Sequence, residues 1–159
     1  MFKNVVIPFD IRFIPRLALR AAAALAHGGA KLSLLYITDV AAEFSVGFTP
    51  ISEDAFKRHD AHVNQQTDNV LAVLAEFGAT ASTYRIHGSP VHTAINRVAK
   101  ALDADAILMG THGRRGLARV WSGSVTESVM READVPVIVV RESSRTPFVP
   151  LFLEQHGRI

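Results

Sequence analysis

The chain has 159 residues, enough for one domain that buries roughly two-thirds of its unfolded surface. Apolar residues make up 48% of it and charged residues 20%, ordinary for a compact soluble protein, and a net charge of +2 is too small to point to nucleic acid or an anionic membrane, so neither is expected as partner. There is no cysteine, which excludes disulfides and thiol chemistry and is compatible with a reducing, cytoplasmic setting.

Met1-Phe-Lys-Asn runs straight into an apolar stretch, so no secretory leader is expected. No apolar run reaches the ~18–20 residues of a membrane span. Lys3–Phe9 reads as a strand apolar on both faces, the pattern of a buried parallel strand. Asp10 stands at its C-terminal end, where open α/β sheets gather ligands. There it is equally suited to meet a nucleoside or to cap the next helix. That helix is expected from Pro15 to His27, with proline in its first turn, Gly28-Gly29 as its stop and Leu17, Ala21 and Leu25 as its apolar stripe.

Lys31–Ile37 is the second strand, followed by an aperiodic loop over 40–50. Ser52-Glu53-Asp54 supplies an N-cap and an acidic first turn for a long helix. Its stripe is Val63, Val70, Leu74 and Phe77, and Gly78 ends it. His59 and His62 lie three apart, a spacing that suits a metal but lacks a third ligand, so they read as a solvated or half-buried face. Thr80–Ile86 is a strand with polar residues on both faces, which suits a sheet edge. Gly88-Ser89-Pro90 then starts a helix, with Ser89 as N-cap and Pro90 in first position, whose core face is Val91, Ile95, Val98 and Leu102. His87 and His92 flank that start in capping or surface roles.

The richest stretch runs from Ala106 to Arg141. Ala106–Met109 is a buried strand ending at Gly110, and Gly110, Gly113 and Gly116 follow within seven residues, interleaved with His112, Arg114 and Arg115. Gly123-Ser124-Val125-Thr126 opens a segment of helical spacing (Val125, Val129, Ala133), and Val135–Val140 is a final apolar strand. Strand, glycine-rich loop, helix start and strand is an order suited to anions. Glycines bring backbone N–H groups close to a ligand, and a helix start offers unpaired N–H groups at the positive end of its dipole. The glycines alone are equally consistent with a tight turn, and Ser124 with a plain N-cap. Neither G-x-x-x-x-G-K-[ST] nor a G-x-G-x-x-G after the first strand is present.

Gly110-x2-Gly113-x9-Gly123-Ser124 resembles the nucleotide-binding signature of the universal stress protein family. Asp105-Ala-Ile-Leu-Met-Gly110 before it and Pro136-Val-Ile-Val-Val-Arg141 after it are similar too, and the likeness covers residues 1–142. The resemblance implies a single Rossmann-like α/β domain with a five-stranded parallel sheet in order 3-2-1-4-5 and helices on both faces. It implies an adenine nucleotide, ATP with or without magnesium. Pro8 and Asp10 match the family's nucleoside end, and Ile37 falls where a family valine contacts the adenine, although a plain core role fits it as well. Met109, Gly110 and His112 fall at the strand end, with Gly113, Gly123, Ser124, Val125 and Thr126 toward the phosphates. After Asp10 the family continues with Gly and Ser, whereas Ile11-Arg12-Phe13 stands here, so the loop over the base is expected to differ. Arg12 either reaches a phosphate or narrows the pocket.

Hydrolysis needs a water-positioning group and usually a metal, and Asp10 and His112 are the only candidates near the loop. The resemblance therefore implies a nucleotide-dependent sensor or switch in a stress response as the expected function, with slow turnover if any. The alternatives are a slow magnesium-dependent ATPase or phosphotransferase, and a dimeric scaffold without nucleotide. In the implied strand order Val135–Val140 is an apolar edge, which invites a two-fold homodimer through that strand. Residues 143–159 form an extension whose Phe148, Leu151, Phe152 and Leu153 are expected to pack at that edge or at the dimer interface.

Overall fold

The computed structural model describes residues 1–11, 15–39, 52–112 and 124–142. Five strands, β1 (Asn4–Pro8), β2 (Lys31–Thr38), β3 (Ser82–His87), β4 (Ala106–His112) and β5 (Val137–Glu142), alternate with four helices among the described residues. The helices are α1 (Arg16–His27), α2 (Glu53–Glu76), α3 (Val91–Ala101) and α4 (Ser124–Glu132). All strand pairings are parallel and the order is β3-β2-β1-β4-β5, as the resemblance implies. Parallel strands need covered faces. Here α1 and α2 cover one and α3 and α4 the other, giving two core clusters separated by the sheet.

The long helix starts as its sequence dictates: the Ser52 hydroxyl accepts the Ala55 N–H at 3.2 Å, with Glu53 and Asp54 in the first turn. Val63, Val70 and Leu74 are buried, together with Val73. Elsewhere the structure departs from the expected faces. In α1 the buried side chains are Ala18, Leu19, Ala22 and Ala23, while Leu17, Ala21 and Leu25 are only half-buried. The helix is rolled so that its small residues meet the sheet. Close approach, rather than bulk, decides its orientation. In α3, Ala94, Ile95 and Ala99 are buried and Val91, Val98 and Leu102 pack around them.

Three boundaries also shift. β4 continues through Gly110 to His112, because pairing with β5 up to His112–Glu142 outweighs glycine's weakness in a strand. β3 runs from Ser82 to His87 and is the polar edge expected. Pro90, with φ −67° and ψ 149°, is extended and occupies the cap position of α3. The Ser89 hydroxyl instead donates to Asp39 Oδ2 at 3.4 Å, tying the start of α3 to the end of β2.

The two central strands are fastened at one end. Asp105 accepts the backbone N–H of Lys3 at 2.7 Å and of Asn4 at 3.1 Å, and its own N–H donates to the Asn4 carbonyl at 2.9 Å. The Lys3 amide above all, then the Asn4 amide, holds the Asp105 carboxyl below its ordinary value.

Candidate functional site at the carboxyl ends of the central strands

The ladder between β1 and β4 covers two residue pairs, Val5–Ala106 and Val6–Ile107, whereas β4 and β5 pair over six. Past Ile7, Pro8 has no N–H to donate. The next amide along, that of Phe9, turns toward β2 and donates to the Leu35 carbonyl at 3.0 Å. The central strands thus part at their C-terminal ends, at the point where the strand order reverses. In open α/β sheets this parting is the place where ligands bind.

Several expected residues meet there. Continuing the β1–β4 register sets buried Pro8 level with Met109. Ile37 and Met109, 5% and 3% exposed, share one apolar cluster with Val129, and Val125 packs against it. The residues assigned to the base and to the helix start therefore belong to one wall, on the α3–α4 face. Asp10 is half-buried just beyond the end of β1. Ser124 opens α4, Val125 is half-buried, and Thr126 is buried. What these three residues offer a ligand in common is backbone N–H groups in a first helical turn, which no residue of the helix itself accepts. His112 ends β4, opposite Glu142. Gly113 and Gly123, like Arg12, lie outside the described residues.

Gly110 has a role that its place in the signature conceals. A Cβ there would lie 2.5 Å from the Pro15 Cβ, 3.2 Å from the Ala18 Cβ and 3.3 Å from the Pro15 Cγ. Its missing side chain is what lets the start of α1 lie directly on β4. Gly88 does the same on the other face, where a Cβ would stand 2.7 Å from the Ala94 Cβ and 3.9 Å from Ile37 Cγ2. It also closes the corner, its N–H donating to the Thr38 carbonyl at 3.2 Å.

This corner is not legible in the sequence. Thr38, Asp39, Gly88 and Ser89 border Ile37, and the Gly-Ser-Pro triplet was legible only as a helix start. Thr38 is fully buried, and its hydroxyl has no hydrogen-bond partner among the described residues. On the far side of β2, the Tyr36 ring lies 5.8 Å from Phe9 and 6.4 Å from His59, and Arg85 sits 5.9 Å from the Tyr36 ring while pairing with Asp60. His59 therefore belongs to an aromatic and cationic cluster beneath α2, while His62 is exposed.

The profile of the universal stress protein family matches residues 1–141. The chain belongs to this family. Among its relatives, universal stress protein MJ0531 of Methanocaldococcus jannaschii is 28% identical over 149 residues, spanning 91% of this chain and 85% of the relative. The solved structure of MJ0577, from the same organism, is similar with a TM-score of 0.69 at 25% identity, over 91% of this chain and 99% of the other. A universal stress protein of Archaeoglobus fulgidus, solved in complex with dAMP, shares the fold with a TM-score of 0.62 at 21% identity, over 86% and 96% of the two chains. No described helix of this universal stress protein is long and apolar enough to cross a membrane.

Proposed function

We propose that this universal stress protein binds an adenine nucleotide, ATP in the first instance, in the crevice between β1 and β4, and that binding switches its state without rapid turnover. The observation that carries the reading is the convergence of Ile37, Met109 and Val125 on one wall where the central strands part, beside the first turn of α4. In this arrangement Pro8, Asp10, Ile37 and Met109 border the nucleoside. The backbone of Gly113, Gly123, Ser124, Val125 and Thr126 takes the phosphates, with Gly110 and His112 at the strand end, and magnesium accompanies the triphosphate. In this reading half-buried Asp10 accepts a ribose hydroxyl, an interaction worth about 1.5–3 kcal/mol when the acceptor is charged. The dAMP complex of a fold neighbour makes adenine nucleotides the first ligands to test.

Mass analysis of small molecules released from the purified protein, followed by ATP titration, tests binding. Protein that releases no nucleotide and gives no heat with ATP leaves only the scaffold reading. A single-turnover assay with magnesium then tests the switch, since ADP formed within seconds would make the protein an ATPase instead.

The reading includes a homodimer through β5. That strand is a sheet edge, Val139 on it is 40% exposed, and Met130 of the preceding helix is 50% exposed. An apolar edge with open backbone groups favours pairing with a second copy across a two-fold axis.

A further inference from the structure

At the opposite end of the sheet, a cavity of about 230 Å³ lies between α3, the turn into β4 and the turn into β5. Ile107 and Val135 give it an apolar floor, with exposed Lys100, Asp103 and Asp134 around it and Asn96, from the middle of α3, in its wall. Ile107 stands only about 7 Å along β4 from Met109, taking ~3.3 Å per strand residue, but the cavity opens among Asp103, Ala104, Asp134 and Val135 at the strands' amino-terminal ends, and none of its lining residues borders the crevice. The cavity is therefore distinct from the crevice.

Asn96 is the anomaly here. Both its Oδ1 and its Nδ2 are sealed from solvent, and neither has a hydrogen-bond partner among the described residues. A buried carboxamide left unpaired destabilises a fold, and such a group calls for a partner. Where it lies, the amide has no hydrogen bond to give up. Turning it toward the cavity therefore breaks nothing and exposes one acceptor beside two donors. A carboxamide of this kind recognises an edge that carries a donor next to an acceptor, as Asn does with adenine.

Size and charge narrow the ligand. The volume lies below the roughly 300–1,000 Å³ of pockets for drug-sized ligands, which suits one planar ring system and excludes a nucleoside triphosphate. Two carboxylates against one ammonium at the rim disfavour an anion. Ile107 and Val135 offer apolar contact to a ring. We propose that this cavity is a second ligand site, for a small neutral planar heterocycle whose edge carries a hydrogen-bond donor beside an acceptor, with Asn96 as its recognition residue. A nucleobase is the simplest such molecule, and the inference stands whether or not the crevice binds a nucleotide.

Residue-resolved NMR titration of the full chain with 9-methyladenine and 9-methylpurine, which differ only in the exocyclic amine donor, tests it. The expected result is a saturable shift of the Asn96 side-chain amide and of the backbone at Asp103, Ile107 and Val135. The adenine compound should bind about tenfold more tightly than the purine, and Asn96→Leu should abolish that preference. If Asn96→Leu fails to fold, the wild-type amide shift and the ratio between the two compounds decide alone. Shifts confined to Asp10, Ile37 and their neighbours, or an Asn96 amide indifferent to both compounds, would overturn the proposal.

Discussion

Gly110→Ala adds a single methyl group at the junction between α1 and the site. An ideal Cβ there is 2.5 Å from the Pro15 Cβ and 3.2 Å from the Ala18 Cβ. Carbon atoms pack comfortably at about 3.5–4.0 Å, so the start of α1 must move off β4 by roughly an ångström. Both obstructing atoms are Cβ atoms, fixed to the backbone, so no rotamer change relieves the contact. Overpacking of this kind typically costs about 1–3 kcal/mol. At about 2–4 °C per kcal/mol for a chain of this size, the melting temperature should fall by roughly 2–12 °C. Because Gly110 ends the stretch of β4 that borders the proposed crevice, ATP affinity should weaken as well. Thermal melts and calorimetric titration measure the two effects. Pro15→Gly, which removes the nearest obstructing atom, should restore part of both in the Gly110→Ala background. An unchanged melting temperature in Gly110→Ala, or no recovery in the double variant, refutes the packing role.

Four other outcomes are expected. Asp10→Ala should weaken ATP binding by about 1.5–3 kcal/mol with little change in melting temperature; a large stability loss with intact affinity would make Asp10 a helix cap instead. Thr38→Val should raise the melting temperature of the ligand-free protein, because it removes a buried hydroxyl with no partner among the described residues; a lower melting temperature disproves this. The folded-state pKa of Asp105 is depressed, so its contribution is present above the ordinary carboxyl value of 3.8 and is lost as pH falls through the lower folded value. Asp105→Asn should therefore flatten the acid limb of the stability curve below that pH, and superimposable limbs would show that the Lys3 and Asn4 contacts contribute nothing. Val139→Asp should convert the expected dimer to monomer in light scattering, and a persistent dimer places the interface elsewhere.

Much of the fold is legible because four of the five strands are apolar runs and β3 is marked as an edge by its polar faces, and Gly28-Gly29, Gly78 and Ser52 punctuate the helices between them. The glycine spacing of the signature is equally local. The misreadings concern contacts between residues far apart in the chain. The run of alanines in α1 offers no contrast of size, so its stripe reads as Leu17, Ala21 and Leu25. Only the sheet's demand for close approach selects the Ala18–Ala22 face. Gly110 reads as a ligand loop because nothing in the sequence places Pro15 above it. Asp105 reads as a flanking residue because its partners, Lys3 and Asn4, are 102 and 101 positions away. The Asn96 amide is hidden for the opposite reason: a polar residue at one helical position is unremarkable until its surroundings prove to lack partners.

The fastening of β1 to β4 has a consequence for synthesis. On a ribosome, β1 is made first and meets β2 after little more than twenty further residues, but Ala106, its other neighbour, follows about a hundred positions later. Over that interval Val5, Val6 and Ile7, each at most 1% exposed in the finished protein, flank an open line of backbone groups. The nascent chain thus carries its central strand as a temporary edge, and the crevice has no second bank until β4 has emerged. Whatever guards that edge during translation acts on a surface that the folded protein no longer has.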